Sequence, residues 1–145
     1  MQRMRIAGIS TCSRFGQVVL EDPDGMVRLH IRLRPIMAHW LAHELKECQC
    51  PALSMYRLFQ ELLTKFDGRL RLAVIDASED QTPLGLMVIC RQNGEEIRQF
   101  CHPVDAIAMA ARLQVPLYAT SRALKRGSWK NIQPWLETIK PQDFQ

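Results

Sequence analysis

Residues 69–91 read "RLRLAVIDASEDQTPLGLMVICR". The first eight residues alternate, placing Leu70, Leu72 and Val74 on one face of a strand. "SEDQTP" is a turn. "LGLMVICR" is apolar throughout, as a central strand covered on both faces would be. No helix lies between these two strands, so the chain is not built from regular β-α-β units.

Upstream, "FGQVVLED" (15–22) is strand-like, and "PDG" (23–25) is a turn in which glycine supplies the unusual backbone angle. In "MVRLHIRL" (26–33), Val27, Leu29, Ile31 and Leu33 alternate with Arg28, His30 and Arg32. That is a half-buried strand, paired with the preceding one as a hairpin and ended by Pro35. "MAHWLAHELKEC" (37–48) has helical spacing, with Trp40, Leu41 and Leu45 on one face. A second helix, "MYRLFQELLTKF" (55–66), has Ser54 as cap and a stripe of Leu58, Phe59, Leu62, Leu63 and Phe66. "DG" (67–68) stops it.

Downstream come a turn "QNGEE", a short strand "IRQFC" (97–101), a helix "PVDAIAMAARL" (103–113) and a strand "VPLYAT" (115–120). A short basic helix "SRALKRG" (121–127) follows, with Ser121 as cap and Gly127 closing it. The order is hairpin, two helices, three strands, helix, strand, tail. It predicts a single α+β domain over 1–127, a mixed or largely antiparallel sheet packed with three to four helices, and a C-terminal tail over 128–145.

The 145 residues suffice for one domain with a real core. Hydrophobic content of 47% and charged content of 23% describe a globular chain, not a disordered one. The net charge of +4 tolerates a polyanionic partner without requiring one. No apolar run reaches the length of a membrane span, and the N-terminus does not read as a signal peptide. A cytoplasmic location is therefore expected. The five cysteines (Cys12, Cys48, Cys50, Cys90, Cys101) form no disulfide framework, and Cys90 and Cys101 read as small buried hydrophobes.

Candidate chemistry is sparse. His39 and His43 lie four apart on one helix, with Glu44, Cys48 and Cys50 nearby, but the spacing is not that of a usual zinc site. Two surface histidines flanking a buried Trp40 is the simpler account. No G-x-S-x-G, P-loop or dinucleotide fingerprint is present. "DPDG" (22–25) begins like a calcium loop, but the ligand series does not continue. Asp76, Glu79 and Asp80 cluster at a strand end and its turn, and Asp105 opens the later helix. Strand ends and helix starts can share one rim of a sheet, so these carboxylates could converge on a metal. Equally, the first three suit a solvated turn, and Asp105 suits the positive end of a helix. Arg112, Arg122, Lys125, Arg126 and Lys130, with Trp129 interleaved, are either a solvated face or a surface for single-stranded nucleic acid.

Several segments together resemble the bifunctional nuclease (DNase–RNase) domain family. Its signature reads approximately R-P-S-D-A-I-A-L-A, followed by P-I-Y-V. "HPVDAIAMAARLQVPLYAT" is similar, matching at Pro103, Asp105, Ala106, Ile107, Ala108, Ala110, Pro116 and Tyr118. "RLRPI" (32–36) resembles the family's R-x-L-P-I. "CPALSMYRLFQELLTKF" has the register of its R-P-x-T-H-D-L-L helix, and "LAVIDASEDQTPLGLMVI" resembles its strand–turn–strand. The likeness covers roughly residues 17–127. It implies a small α+β domain, action on DNA and RNA, and a homo-oligomer.

The departures fall on polar positions. The family's T-H-D becomes Ser54, Met55 and Tyr56; the glycine and glutamate after L-P-I become His39 and Ala42; R-P-S-D becomes His102, Pro103, Val104 and Asp105. Two readings follow. In the first, a metal-dependent nuclease works with Asp105 and His102, with Asp76, Glu79 or Asp80 on Mg or Mn. In the second, the fold survives as a binding or regulatory module without a cofactor. Its partner is nucleic acid through the late basic stretch, or protein through Trp129 and Trp135. Those tail tryptophans suit docking onto the chain's own body or onto a second subunit.

Overall fold

The computed structural model describes residues 1–45 and 55–127. Its strands are β1 (Gln2–Thr11), β2 (Gly16–Glu21), β3 (Arg28–Leu33), β4 (Gly68–Ala77), β5 (Pro83–Arg91), β6 (Glu96–Cys101) and β7 (Leu117–Ala119). Its helices are α1 (Pro35–Leu45), α2 (Met55–Lys65), α3 (Pro103–Leu113) and α4 (Ser121–Gly127). The strands form one sheet in the order β3-β2-β1-β7-β4-β5-β6. β4 and β7 run parallel, and every other neighbouring pair is antiparallel. This is the expected single α+β domain with a mixed sheet. No described helix is long and apolar enough to cross a membrane.

The expected hairpin is β2–β3, with Leu29, Ile31 and Leu33 buried. Its turn is tied by Asp22: the Val27 amide donates to Asp22 Oδ1 at 3.0 Å, and Gly25 adopts φ +71°. "DPDG" is therefore turn chemistry.

Sequence periodicity did not reveal β1, which lies between β2 and β7. The register slips between Ile6 and Gly8, so the inward side chains are Met4, Ile6 and then Ile9. A bulge converts the period of two into a step of three. A second bulge between Leu70 and Leu72 corrects the reading of β4. Leu70 shares the helix-side face with Ala73, Ile75 and Ala77, while Leu72 and Val74 face the other way.

All four helices pack on one face of the sheet. Pro35 opens α1, where a missing N–H costs nothing. Its buried residues are Ala38 and Leu41, with Leu45 partly buried; Trp40, expected among them, is 60% exposed. On α2 the inward seam is Tyr56, Phe59 and Leu63, whereas Leu58, Leu62 and Phe66 are exposed. α3 is buried on nearly every side, from Val104 through Ala110. That explains its composition: alanines let it approach the sheet, and Ile107 and Met109 fill the space between layers. Thr120, and not Ser121, caps α4, since its Oγ1 accepts from the Ala123 amide at 3.2 Å. The Ser54 cap and the tail from residue 128 lie outside the described residues.

Candidate functional site around Asp105

The site begins with the entry into α3. His102 is the N-cap, in extended conformation, and its Nδ1 accepts from the Val104 amide at 3.2 Å. Pro103 follows at the first helical position. Asp105 therefore lands in the first turn, where the unpaired amides of the helix start favour a negative charge.

Gly85 makes this placement possible. A Cβ there would lie 2.8 Å from the His102 carbonyl oxygen, 2.9 Å from Cys101 Sγ and 3.0 Å from Ala106 Cβ. Only a residue without a side chain lets β5 come this close to the start of α3.

The half-buried Asp105 carboxylate has a partner from another helix. Tyr56, in the first turn of α2, donates its hydroxyl to Asp105 Oδ1 at 2.9 Å. Burial pushes the phenol pKa far above its ordinary value, and the Asp105 bond and the charges of Asp105 and Glu44 push it the same way. The hydroxyl thus stays protonated and acts as a donor. Beside it, burial and the Asp105 charge push the Cys101 thiol up to about 11. Cys101 is a thiol at neutral pH, poorly suited to nucleophilic attack. It is partly rather than fully buried, as is Cys90.

Arg112, about two turns further along α3, closes the cluster. Its Nη1 donates to Glu44 Oε2 at 3.0 Å and its Nε to Gln60 Oε1 at 3.2 Å. One guanidinium therefore joins α3 to both α1 and α2.

The other sequence candidates lie elsewhere. Asp76 alternates with Ile75 and Ala77, so it lies on the face of β4 turned away from α3. Arg122 Nη2 donates to its Oδ2 at 2.7 Å, Thr120 Oγ1 to its Oδ1 at 2.6 Å, and the Ala77 amide to Oδ1 at 2.8 Å. These bonds, Arg122 foremost, hold the Asp76 carboxyl below the usual range. Asp80 is fully exposed and bonded to Ser78 within its own turn. Glu79 is exposed and reinforces the charge on Arg122. Of the basic stretch, Arg112 and Arg122 are committed to these ion pairs, and Lys125 is exposed. Trp129 and Lys130, with Cys48 and Cys50, lie outside the described residues, as does the Arg126 side chain.

A divalent ion such as Mg or Mn needs several oxygen ligands at one point. Among the described residues, no three His, Cys, Asp or Glu side chains are grouped in this way. Asp105 faces a hydroxyl donor, which competes with a cation for the same oxygen. The described donors do not fit that metal.

Sequence reading had registered Tyr56 only as a lost carboxylate. The signal that finds it is its place on the inward seam of α2, because a partly buried phenol requires an acceptor.

A sequence model described as the bifunctional nuclease domain matches residues 18–131, well over half of the chain. A search of curated proteins gives no match.

Proposed function

Since the chain belongs to the bifunctional nuclease domain family, we propose that it serves as a nucleic-acid-binding module that keeps the family fold without metal-dependent hydrolysis. The observation that carries this reading is the 2.9 Å hydrogen bond from Tyr56 to Asp105. Phosphodiester hydrolysis needs an activated water and charge stabilisation at the transferring phosphorus. Here the signature carboxylate is satisfied by a neutral phenol, and the other acidic candidates are bonded or turned elsewhere. Backbone contacts to nucleic acid would come from Lys125, Arg126 and Lys130, with Trp129 stacking on a base.

The test uses purified chain with single-stranded RNA and with plasmid DNA, in Mg²⁺, in Mn²⁺ and with chelator, beside Asp105→Ala. The expected outcome is a gel shift that Asp105→Ala retains, with no metal-dependent cleavage. Cleavage abolished by chelator and by Asp105→Ala would instead establish a nuclease.

The same reading carries a homo-oligomer. Met55, Leu58, Leu62 and Phe66 form an exposed apolar stripe along α2, to which a second copy can pack. Light scattering on Leu58→Glu/Leu62→Glu should report a smaller particle than for the natural chain.

A further inference from the structure

The two edges of the sheet are not alike. β3 lies against α4, and its side chains alternate between buried and more accessible. β6 is the last strand on the other side, and every side chain from Glu96 to Phe100 is exposed. Two of these are large and apolar, Ile97 at 38% and Phe100 at 62%. β6 pairs with β5 without a register shift and contains no proline. It therefore has neither a bulge nor a proline to blunt its open edge.

The outward backbone groups of β6 follow from its pairing. The Arg91 amide donates to the Glu95 carbonyl at 2.9 Å, so the hydrogen-bonded pairs with β5 fall on Ile97, Gln99 and Cys101. The N–H and C=O groups of Glu96, Arg98 and Phe100 therefore point away from the sheet edge. Their side chains lie on the outer face, because Ile97 and Gln99 oppose Ile89 and Met87 of the helix-side core. A copy related by a twofold axis through the sheet must match face with face, so even-numbered residues meet even-numbered ones. An axis at Arg98 sets two arginines against each other, and an axis at Gln99 pairs no opposite charges. An axis at Ile97 sets Glu96 opposite Arg98 of the partner subunit, twice, and Ile97 against Ile97 of the partner subunit. Within one chain Glu96 already accepts from Arg71 and Arg98; the second Arg98 extends that row across the axis. The same register sets Phe100 opposite Gly94 of the partner subunit. A Cβ on Gly94 would meet nothing within 4 Å, so the aromatic ring has room there.

On the helix side this edge continues into α2. Gln60 accepts from Arg112 of α3, and Leu58, Leu62 and Phe66 lie on the far side of the helix from it. α2 ends beside the β5–β6 turn, where the Gln92 amide donates to the Asp67 carbonyl at 3.1 Å. Leu63 packs with Ile89, the register partner of Ile97. The exposed stripe of α2 and the open edge of β6 therefore border one surface.

We propose that two copies of the chain pair antiparallel along β6 about an axis at Ile97, with Glu96 opposite Arg98 of the partner subunit, so that the two sheets run on as one. The pairing rests on the self-association already inferred for this chain, and it supplies the register that the apolar stripe of α2 alone does not.

The test compares Arg98→Glu and Glu96→Arg with the natural chain by light scattering and sedimentation. Both positions are exposed, so circular dichroism should stay native. Each reversal turns two opposite-charge pairs into like-charge pairs and should weaken self-association about tenfold. Mixing the two variants restores both pairs and should recover the dimer, as should the double exchange Glu96→Arg/Arg98→Glu. Hydrogen exchange of the natural chain needs no variant: residues 95–101 should be protected at high concentration and lose that protection on dilution. A natural chain that stays monomeric overturns both the pairing and the self-association. A dimer that ignores both reversals yet is lost in Leu58→Glu/Leu62→Glu keeps the self-association and overturns the pairing. Failure of the mixed variants to recover, or exchange at 95–101 that is independent of concentration, also overturns the pairing.

Discussion

Tyr56 and Asp105, 49 positions apart in sequence, share a 2.9 Å hydrogen bond that joins the first turn of α2 to the first turn of α3. Tyr56 also packs against both core clusters, so this bond sits at the seam between them. Tyr56→Phe keeps the ring and removes the donor. Because the bond is charge-assisted and half-buried, the substitution should cost about 1–2 kcal/mol in urea unfolding. A cycle with Asp105→Asn should show coupling; simple additivity of the two losses would mean that the bond contributes nothing to stability.

His102 is read here as a cap, not as a general base. His102→Ala should cost about 1 kcal/mol, the usual loss for an N-cap acceptor, and His102→Asn should recover most of it. Thermal melts of the three chains decide this. If asparagine is no better than alanine, capping is not what the residue does.

Asp76 links stability to acid. Its carboxyl lies below the ordinary 3.8 because Arg122, Thr120 and the Ala77 amide bond its charged form. The unfolded chain therefore takes up a proton first as pH falls. The contribution is complete above 3.8 and disappears as pH drops through the lower, folded value. Asp76→Asn should destabilise the chain at pH 7, with the gap to the natural chain closing at the acid end. A gap independent of pH would show that the amide fails for steric reasons alone.

Gly85→Ala tests the close approach at the site. Its new Cβ meets the His102 backbone oxygen, which cannot rotate away. Overpacking of this kind should cost about 1–3 kcal/mol. It should also shift the entry of α3, seen as increased exposure of the Tyr56 ring in ultraviolet difference spectra. Unchanged stability would mean that the loop yields freely.

Much of the fold was legible because its periods are regular. The alternation of Leu29, Ile31 and Leu33 and the proline-led start of α3 needed no tertiary information. β1 was not legible, because a bulge and three outward polar or small residues dissolve its pattern. The bulge beside Arg71 likewise put Leu70 on the wrong face. At the site, Asp105 could be singled out by resemblance, and its surroundings could not. Tyr56, Glu44, Gln60 and Arg112 come from three helices, and nothing local tells a tyrosine which carboxylate it will meet.

The pairing of Met4 with Leu117 and of Gln2 with Ala119 has a consequence for synthesis. Among the described strands, β1 must wait for β7, the last in chain order, before both its edges are filled. Until β7 leaves the ribosome, β1 and its hairpin present an open edge, while β4, β5 and β6 can pair among themselves. The nascent chain therefore carries two incomplete half-sheets, and late closure by β7 should set the pace of folding.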